Sequence, residues 1–448
     1  MPNQDKTSTE TPENIDLLIE PRWLIPVEPR GITLENYAVA VKDGRIIAVL
    51  PSEQAQQRFN AAHYVSLPEH VLIPGLINLH THAAMTLMRG MADDLPLQEW
   101  LETRIWPAEA ANISPAFVRD GTALACAEML KGGITCFNDM YFYPEAAAEA
   151  VQQMGLRAVL GMVVLDFPTP YASDAEDYLH KGLAARDQFR TNPLLSFCMA
   201  PHAPYTVSDK TFERIVTLAD QLDLPIHVHL HETAGEIETS MAEHGIRPIE
   251  RLRRLGLLVP GLIAVHAVHL NEIEIAMLAD FGCSVAHCPT SNMKLASGIA
   301  PIAQLIARGV HVGLGTDGAA SNNRLDLFQE MRHAALLAKV STGDASVLDA
   351  HTVLRMATLN GATALGMESL IGSIEAGKAA DLCAVRINEI ETSPCFSPVS
   401  HLAYVAGRES VSHVWVNGRL RVNDSVLQEC DTEQLLAAAK LWQNKLSS

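Results

Sequence analysis

Along residues 71–372 the chain repeats one pattern. A short apolar run ends in polar residues, and an amphipathic stretch such as DKTFERIVTLADQL (209–222) follows. Candidate strands are LIPGLINLHTH (72–82), GITCFNDM (133–140), RAVLGMVVLD (157–166), LLSFCMAPHAPY (194–205), PIHVHLHET (225–233), LIAVHAVHL (262–270), CSVAHCPTSN (283–292) and VHVGLGTDG (310–318). Eight strand–helix units over this length predict a (β/α)8 TIM-like barrel; a doubly wound sheet is the alternative. The polar groups favour the barrel. They gather where strands 1, 4, 5, 6, 7 and 8 end, and in a parallel barrel the C-terminal strand ends carry the active site.

Both ends of the chain have a different texture. IDLLIE, AVAVKDG and RIIAVL lie before residue 70, with a turn signal at Asp43-Gly44, and DLCAV and HVWVNGRLRV lie after residue 380. Asn417-Gly418 is a strong hairpin signal. The expectation is a loose tail over residues 1–14. Residues 15–70 and 373–448 then form a small composite β-sandwich domain, and residues 71–372 form the catalytic barrel.

Composition narrows the partners. The 448 residues are 48% hydrophobic, enough for a large core, and carry a net charge of -19. An acidic surface repels phosphate backbones, so nucleic acid is not expected as a partner. No apolar run is long enough to span a membrane, and the polar N-terminus has no signal-peptide core. The eight cysteines form no C-x-x-C pair. A reducing, cytoplasmic setting fits them best. Large barrels often associate, so a homo-oligomer is expected, although periodicity marks no interface.

The strand ends supply candidate chemistry. His80 and His82 alternate at the end of strand 1, so both imidazoles face one side, an arrangement suited to Zn2+. Asp317 closes strand 8, the neighbour of strand 1 in a closed barrel. Strand 5 carries His227, His229 and His231, and strict alternation sends all three inward. The period leaves them tied. One ligand from this strand would complete a His/His/His/Asp set with an open position for water.

NLHTHAAMTLMRG, MAPHAPYTVS, HVHLHET, VHAVHL and GLGTDGAASNN together resemble the amidohydrolase superfamily. Within it they are most similar to the 5-methylthioadenosine/S-adenosylhomocysteine deaminases. The likeness covers most of the chain, including IGSIEAGKAADLCAV. It implies one Zn2+ on His80, His82, His229 and Asp317, with Glu232, His266 and Asp317 as catalytic residues. It also implies that the adenine ring of a purine nucleoside is attacked at C6 by water and loses ammonia. His266 and Asp317 would hold and deprotonate the water, and Glu232 would carry a proton to the neighbouring ring nitrogen. Glu109 and His202 match substrate-contacting positions, joining Glu232 and Asp317. His227 then becomes a lower packing residue and His231 a rim residue. Trp100, Trp106, Met85, Met88 and Met91 are candidates for an apolar lid over the thioether end.

One departure bears on the substrate. Some relatives carry an arginine near the end of strand 3 for the amino-acid carboxylate of S-adenosylhomocysteine. An ungapped alignment puts Met162 there. A carboxylate wants a fixed cation, whereas Met162 suits a methylthio group. The expected substrate is therefore 5'-methylthioadenosine, with Lys181 or Arg186 as substitute cations if the larger molecule is used.

Other readings compete. Gly313-Leu-Gly315-Thr-Asp-Gly318 fits G-x-G-x-x-G, but it comes late in the chain and contains the expected metal aspartate, against a dinucleotide site. Strand 4 has no lysine to bridge two metals. Guanine deaminase and triazine chlorohydrolase chemistry use the same metal shell. A non-catalytic relative would be expected to lack ligands that are present here.

Overall fold

The computed structural model describes residues 12–447. Most of the expected tail lies outside that range, but residues 13 and 14 do not belong to a tail. The first strand, Glu13–Leu24, begins there.

All eight expected barrel strands form, and neighbours in sequence pair in parallel. In order they are Leu76–Thr81, Ile134–Tyr141, Arg157–Val164, Leu195–Pro201, Ile226–Leu230, Leu262–His266, Ser284–His287 and His311–Leu314, called barrel strands 1 to 8 below. Every residue of strands 1, 2, 3, 5, 6 and 7 is buried. Burial on both faces is expected when helices cover the outside and side chains fill the inside.

Strands 8 and 1 close the ring largely through side chains. Asn78 accepts from the Thr316 amide (2.9 Å) and donates to the Thr316 hydroxyl (2.8 Å), and the Asp317 amide donates to the His80 carbonyl (3.0 Å). The chain approaches strand 1 closely at Gly313 and Gly315, which carry no side chain. A Cβ on Gly313 would lie 2.6 Å from Leu79 Cδ2, and one on Gly315 would lie 2.9 Å from His80 Cβ. The glycines that mimic a nucleotide fingerprint are packing residues.

Strands from both chain ends join in one nine-stranded mixed sheet. Its long strand Phe59–Pro74 pairs parallel with Glu13–Leu24 and antiparallel with Leu382–Arg386, so the N-terminal and C-terminal segments meet on it. The last helix, Thr432–Leu446, lies instead on the barrel helix Pro115–Lys131: Trp442 donates to Asp120 (2.8 Å) and meets Phe117 edge-on. Among the described residues no helix is long and apolar enough to cross a membrane. All eight cysteines are free.

Candidate metal centre and active site

The strand ends converge on one point. The ligand atoms of His80, His82 and His229 lie within 4.8 Å of one another, as do those of His80, His266 and Asp317. Nε2 of both His80 and His82 stands 3.3 Å from Asp317 Oδ1. Three of the imidazoles use Nδ1 as an anchor: His82 on the Met140 carbonyl (2.6 Å), His229 on the His202 carbonyl (2.8 Å) and His266 on Asn292 Oδ1 (2.9 Å). With the proton on Nδ1, each presents an Nε2 lone pair to the centre, the arrangement a metal-binding histidine requires.

Electrostatics favours the same state. Burial pushes the His80 imidazole down to about 4 and holds His229 well below its ordinary range. Burial alone would raise the Asp317 carboxyl, but the facing His80 ring and the other imidazoles around it keep it well below the carboxylate range. Gly318 N–H (2.7 Å) and the Ser291 (2.7 Å) and Ser321 (3.0 Å) hydroxyls also donate to it. Near neutrality the centre therefore offers His80 and His229 as neutral imidazoles and Asp317 as a carboxylate. His80 Nε2 is buried with no hydrogen-bond partner among the described residues. This donor set and this unpartnered nitrogen fit a divalent zinc ion.

Backbone strain marks the same place. His231 (φ 55°), His266 (φ 70°), Ala267 (φ 49°) and Asp317 (φ 60°) are left-handed. Non-glycine residues adopt that region at some cost, and such positions cluster at functional sites.

Beside the cluster opens a cavity of about 480 Å³. Glu232, His266, Asp317 and His202 reach it, and Glu109 lies on its wall with Trp100, Trp106, Met85, Leu165 and Phe167. Glu232 Oε2 stands 3.6 Å from His266 Nε2, and burial raises its carboxyl above the usual range. Burial raises Glu109 to about 7, against a hydrogen bond from Tyr141 (2.7 Å).

The family profile that matches the chain is that of the amidohydrolase family, over residues 71–421. The chain is 46% identical to a 5-methylthioadenosine/S-adenosylhomocysteine deaminase of Saccharophagus degradans, over 97% of each chain. The chain belongs to the amidohydrolase family. A solved structure of an adenosine deaminase from Xanthomonas campestris with bound zinc is 51% identical, with a TM-score of 0.96 over 98% of this chain and 100% of that one. A zinc-bound atrazine chlorohydrolase from Arthrobacter aurescens shares the fold, with 24% identity and a TM-score of 0.89 over 95% of this chain and 100% of that one. The family and the zinc-bound relative agree with the local donor set: this amidohydrolase has a metal site.

Three expectations need correction. Met162 does not line the cavity. Its side chain packs outward against Gly182, and the residues at the end of strand 3 that face the cavity are Val163 and Leu165. Met88 and Met91 are also absent from the cavity wall, whereas Met85, Trp100 and Trp106 are on it. His231 is not at the rim. Strand 5 ends at Leu230, and the left-handed turn at His231 swings its ring into the protein, where it is fully buried. There it joins Ile249 N–H (3.1 Å) and the His269 carbonyl (3.1 Å).

Sequence reasoning missed the supports. Ser291 and Asn292, in the strand 7 motif CPTSN, hold Asp317 and His266. Glu236 accepts from the amides of His231 and Glu232 (both 2.9 Å), fixing the turn that aims Glu232. A polar run after a strand was the available signal for Ser291 and Asn292; Glu236 reads as an ordinary first-turn acid.

Proposed function

We propose that this amidohydrolase hydrolytically deaminates the adenine ring of 5'-methylthioadenosine with one Zn2+, held by His80, His82, His229 and Asp317. The supporting observation is the cavity wall. No lysine or arginine lines it among the described residues. The two substitute cations are engaged elsewhere: Lys181 with Asp177 (2.9 Å) and the Tyr171 carbonyl (2.6 Å), Arg186 with Asp187 (3.0 Å). A zwitterionic homocysteine end would find no fixed partner, whereas a methylthio group meets apolar surface. The names borne by the relatives, for 5-methylthioadenosine, S-adenosylhomocysteine and adenosine, support a nucleoside with an adenine ring.

When bound, zinc supplies the positive charge that makes a water acidic enough to lose a proton near pH 7. The residues do the rest. Asp317, ionised, accepts the proton that the attacking water loses, and His266 orients that water. Glu232, kept protonatable by burial, delivers a proton to the ring nitrogen beside C6 as the C–O bond forms. The C–N bond then breaks and the amino group leaves as ammonia after gaining a proton. Glu109, held by Tyr141, accepts hydrogen bonds from the ribose hydroxyls, and His202 contacts the purine or the sugar.

The test is a substrate panel of 5'-methylthioadenosine, S-adenosylhomocysteine, adenosine and guanine, followed by ammonia release and loss of adenine absorbance. The highest kcat/KM is expected with 5'-methylthioadenosine. Activity on guanine alone would overturn the adenine reading, and a preference for S-adenosylhomocysteine would overturn the argument from the cavity wall.

A further inference from the structure

We infer that His227, two residues below the expected strand 5 ligand, is a positioning residue for the metal centre: it fixes the tautomer and orientation of His80 through an imidazole–imidazole hydrogen bond. This rests on the metal reading above but not on the substrate.

His80 differs from the other imidazoles of the centre. Its Nδ1 meets neither a carbonyl nor an amide oxygen but Nε2 of His227, at 3.0 Å. The direction of that bond follows from chemistry. His80 Nε2 faces Asp317 and the other ligand atoms, so for a cation to sit there it must carry a lone pair. The proton of neutral His80 is then on Nδ1. His80 donates, His227 Nε2 accepts, and the proton of His227 sits on its own Nδ1. The opposite direction would put a proton on His80 Nε2, pointing at the metal position, and would block the site.

Plain core packing does not explain His227. The residue is fully buried, and its Nδ1 has no partner among the described residues. A buried, unmatched polar atom is costly, so an apolar side chain would fill the space more stably. The bond to His80 is the polar contact that offsets this. Placement follows from the strand: His227 and His229 share the inward face of strand 5, so one segment supplies both a ligand and the support of another ligand on strand 1.

The test measures zinc affinity rather than turnover. Purified wild-type protein, His227→Leu and His227→Gln are loaded with zinc and titrated against a chromogenic chelator. Loss of a partner of this kind typically weakens metal binding by about 10–100-fold, and that loss is expected for His227→Leu. His227→Gln is expected to stay close to wild type, because the glutamine amide oxygen reaches about as far as Nε2 and can accept the same hydrogen bond. Equal affinity in wild type and His227→Leu, or a glutamine variant as weak as the leucine variant, would overturn the inference. A wild-type protein that takes up no zinc would instead sink the metal reading beneath it. Should His227→Leu fail to fold, nitrogen NMR of histidine-labelled, zinc-loaded wild type decides alone. A proton on His227 Nδ1 is expected, and one on His227 Nε2 would refute the assignment.

Discussion

Glu232 and Asp317 are both buried carboxylates, yet they are driven in opposite directions. Asp317 receives three donors besides its imidazole neighbours and stays ionised. Glu232 is raised by burial and faces His266 across 3.6 Å. Paired acids whose environments push them apart divide into proton acceptor and proton donor. Glu232→Gln keeps the shape and leaves all four proposed zinc ligands in place. Metal analysis of the purified variant should show wild-type zinc, while kcat falls by about 10²–10⁴-fold, the range for loss of a general acid–base. Retained turnover would remove Glu232 from the chemistry. Much of this centre is legible in the sequence, because imidazoles and carboxylates at strand ends have few other uses. The strand 5 histidines show where legibility stops. Alternation predicts three inward rings, and it holds only while the strand lasts. His231 follows the last strand residue, and its positive φ reverses the ring. Met162 teaches the converse: the two-residue period puts it on the face opposite Val163 and Leu165, so alternation outperforms an ungapped alignment there.

Between the elements, two small features carry large consequences. The helix Leu327–Thr342 sends Glu330 to the top of the barrel, where it accepts from Thr290 N–H (3.1 Å) and Asn322 Nδ2 (2.8 Å). It thereby joins the segments that follow strands 7 and 8. Burial raises its carboxyl from 4.5 to about 7. Between those values the folded state binds a proton that the unfolded state has released, so this group's contribution to stability falls as pH rises from about 4.5 to 7 and is level above. The full effect is at most about 3 kcal/mol. Urea midpoints of wild type and Glu330→Gln across that window should differ by a term that changes in this direction; a pH-independent difference would count against a raised Glu330. Gly315 acts through contact. A Cβ there would meet His80 Cβ at 2.9 Å, Cys288 Sγ at 3.0 Å and His80 N at 3.0 Å, all beside the metal cluster. Gly315→Ala should cost about 1–3 kcal/mol by overpacking and also lower zinc affinity, because the displaced residue is a proposed ligand. Thermal melting and chelator titration measure the two separately, and an unchanged zinc affinity would mean the barrel seam can give without moving His80. Neither feature is readable from spacing. Gly315 sits in a string that imitates a dinucleotide fingerprint, and only the approach of strand 1 reveals its use.

Across the molecule, the mixed sheet and the barrel are fastened at the end away from the chemistry. Arg157 is the first residue of barrel strand 3, and Asp381 immediately precedes the sheet strand Leu382–Arg386. They form a buried two-bond pair: Nε to Oδ2 at 3.0 Å and Nη2 to Oδ1 at 3.2 Å. Asp381 Oδ1 also accepts from the Asn417 amide (2.7 Å), and its carbonyl accepts from Gly75 N–H (2.8 Å), just before strand 1. One aspartate thus ties three distant parts of the chain. The β texture at both ends of the sequence signals that they belong together, but a lone arginine and a lone aspartate more than two hundred residues apart do not signal that they meet. Removing one partner leaves the other charge buried, which typically costs about 3–5 kcal/mol, whereas replacing both with apolar groups of similar size is often nearly neutral. Arg157→Met and Asp381→Leu should each lower the denaturation midpoint strongly, and the double variant should recover much of the loss. Strand 3 meets the cavity only at its far end, through Val163 and Leu165, so kcat measured well below the melting temperature should stay near wild type in all three. Additive losses in the double variant would show that the two residues act independently rather than as a pair. A kcat that fell in step with stability would show that the fastening reaches the metal centre.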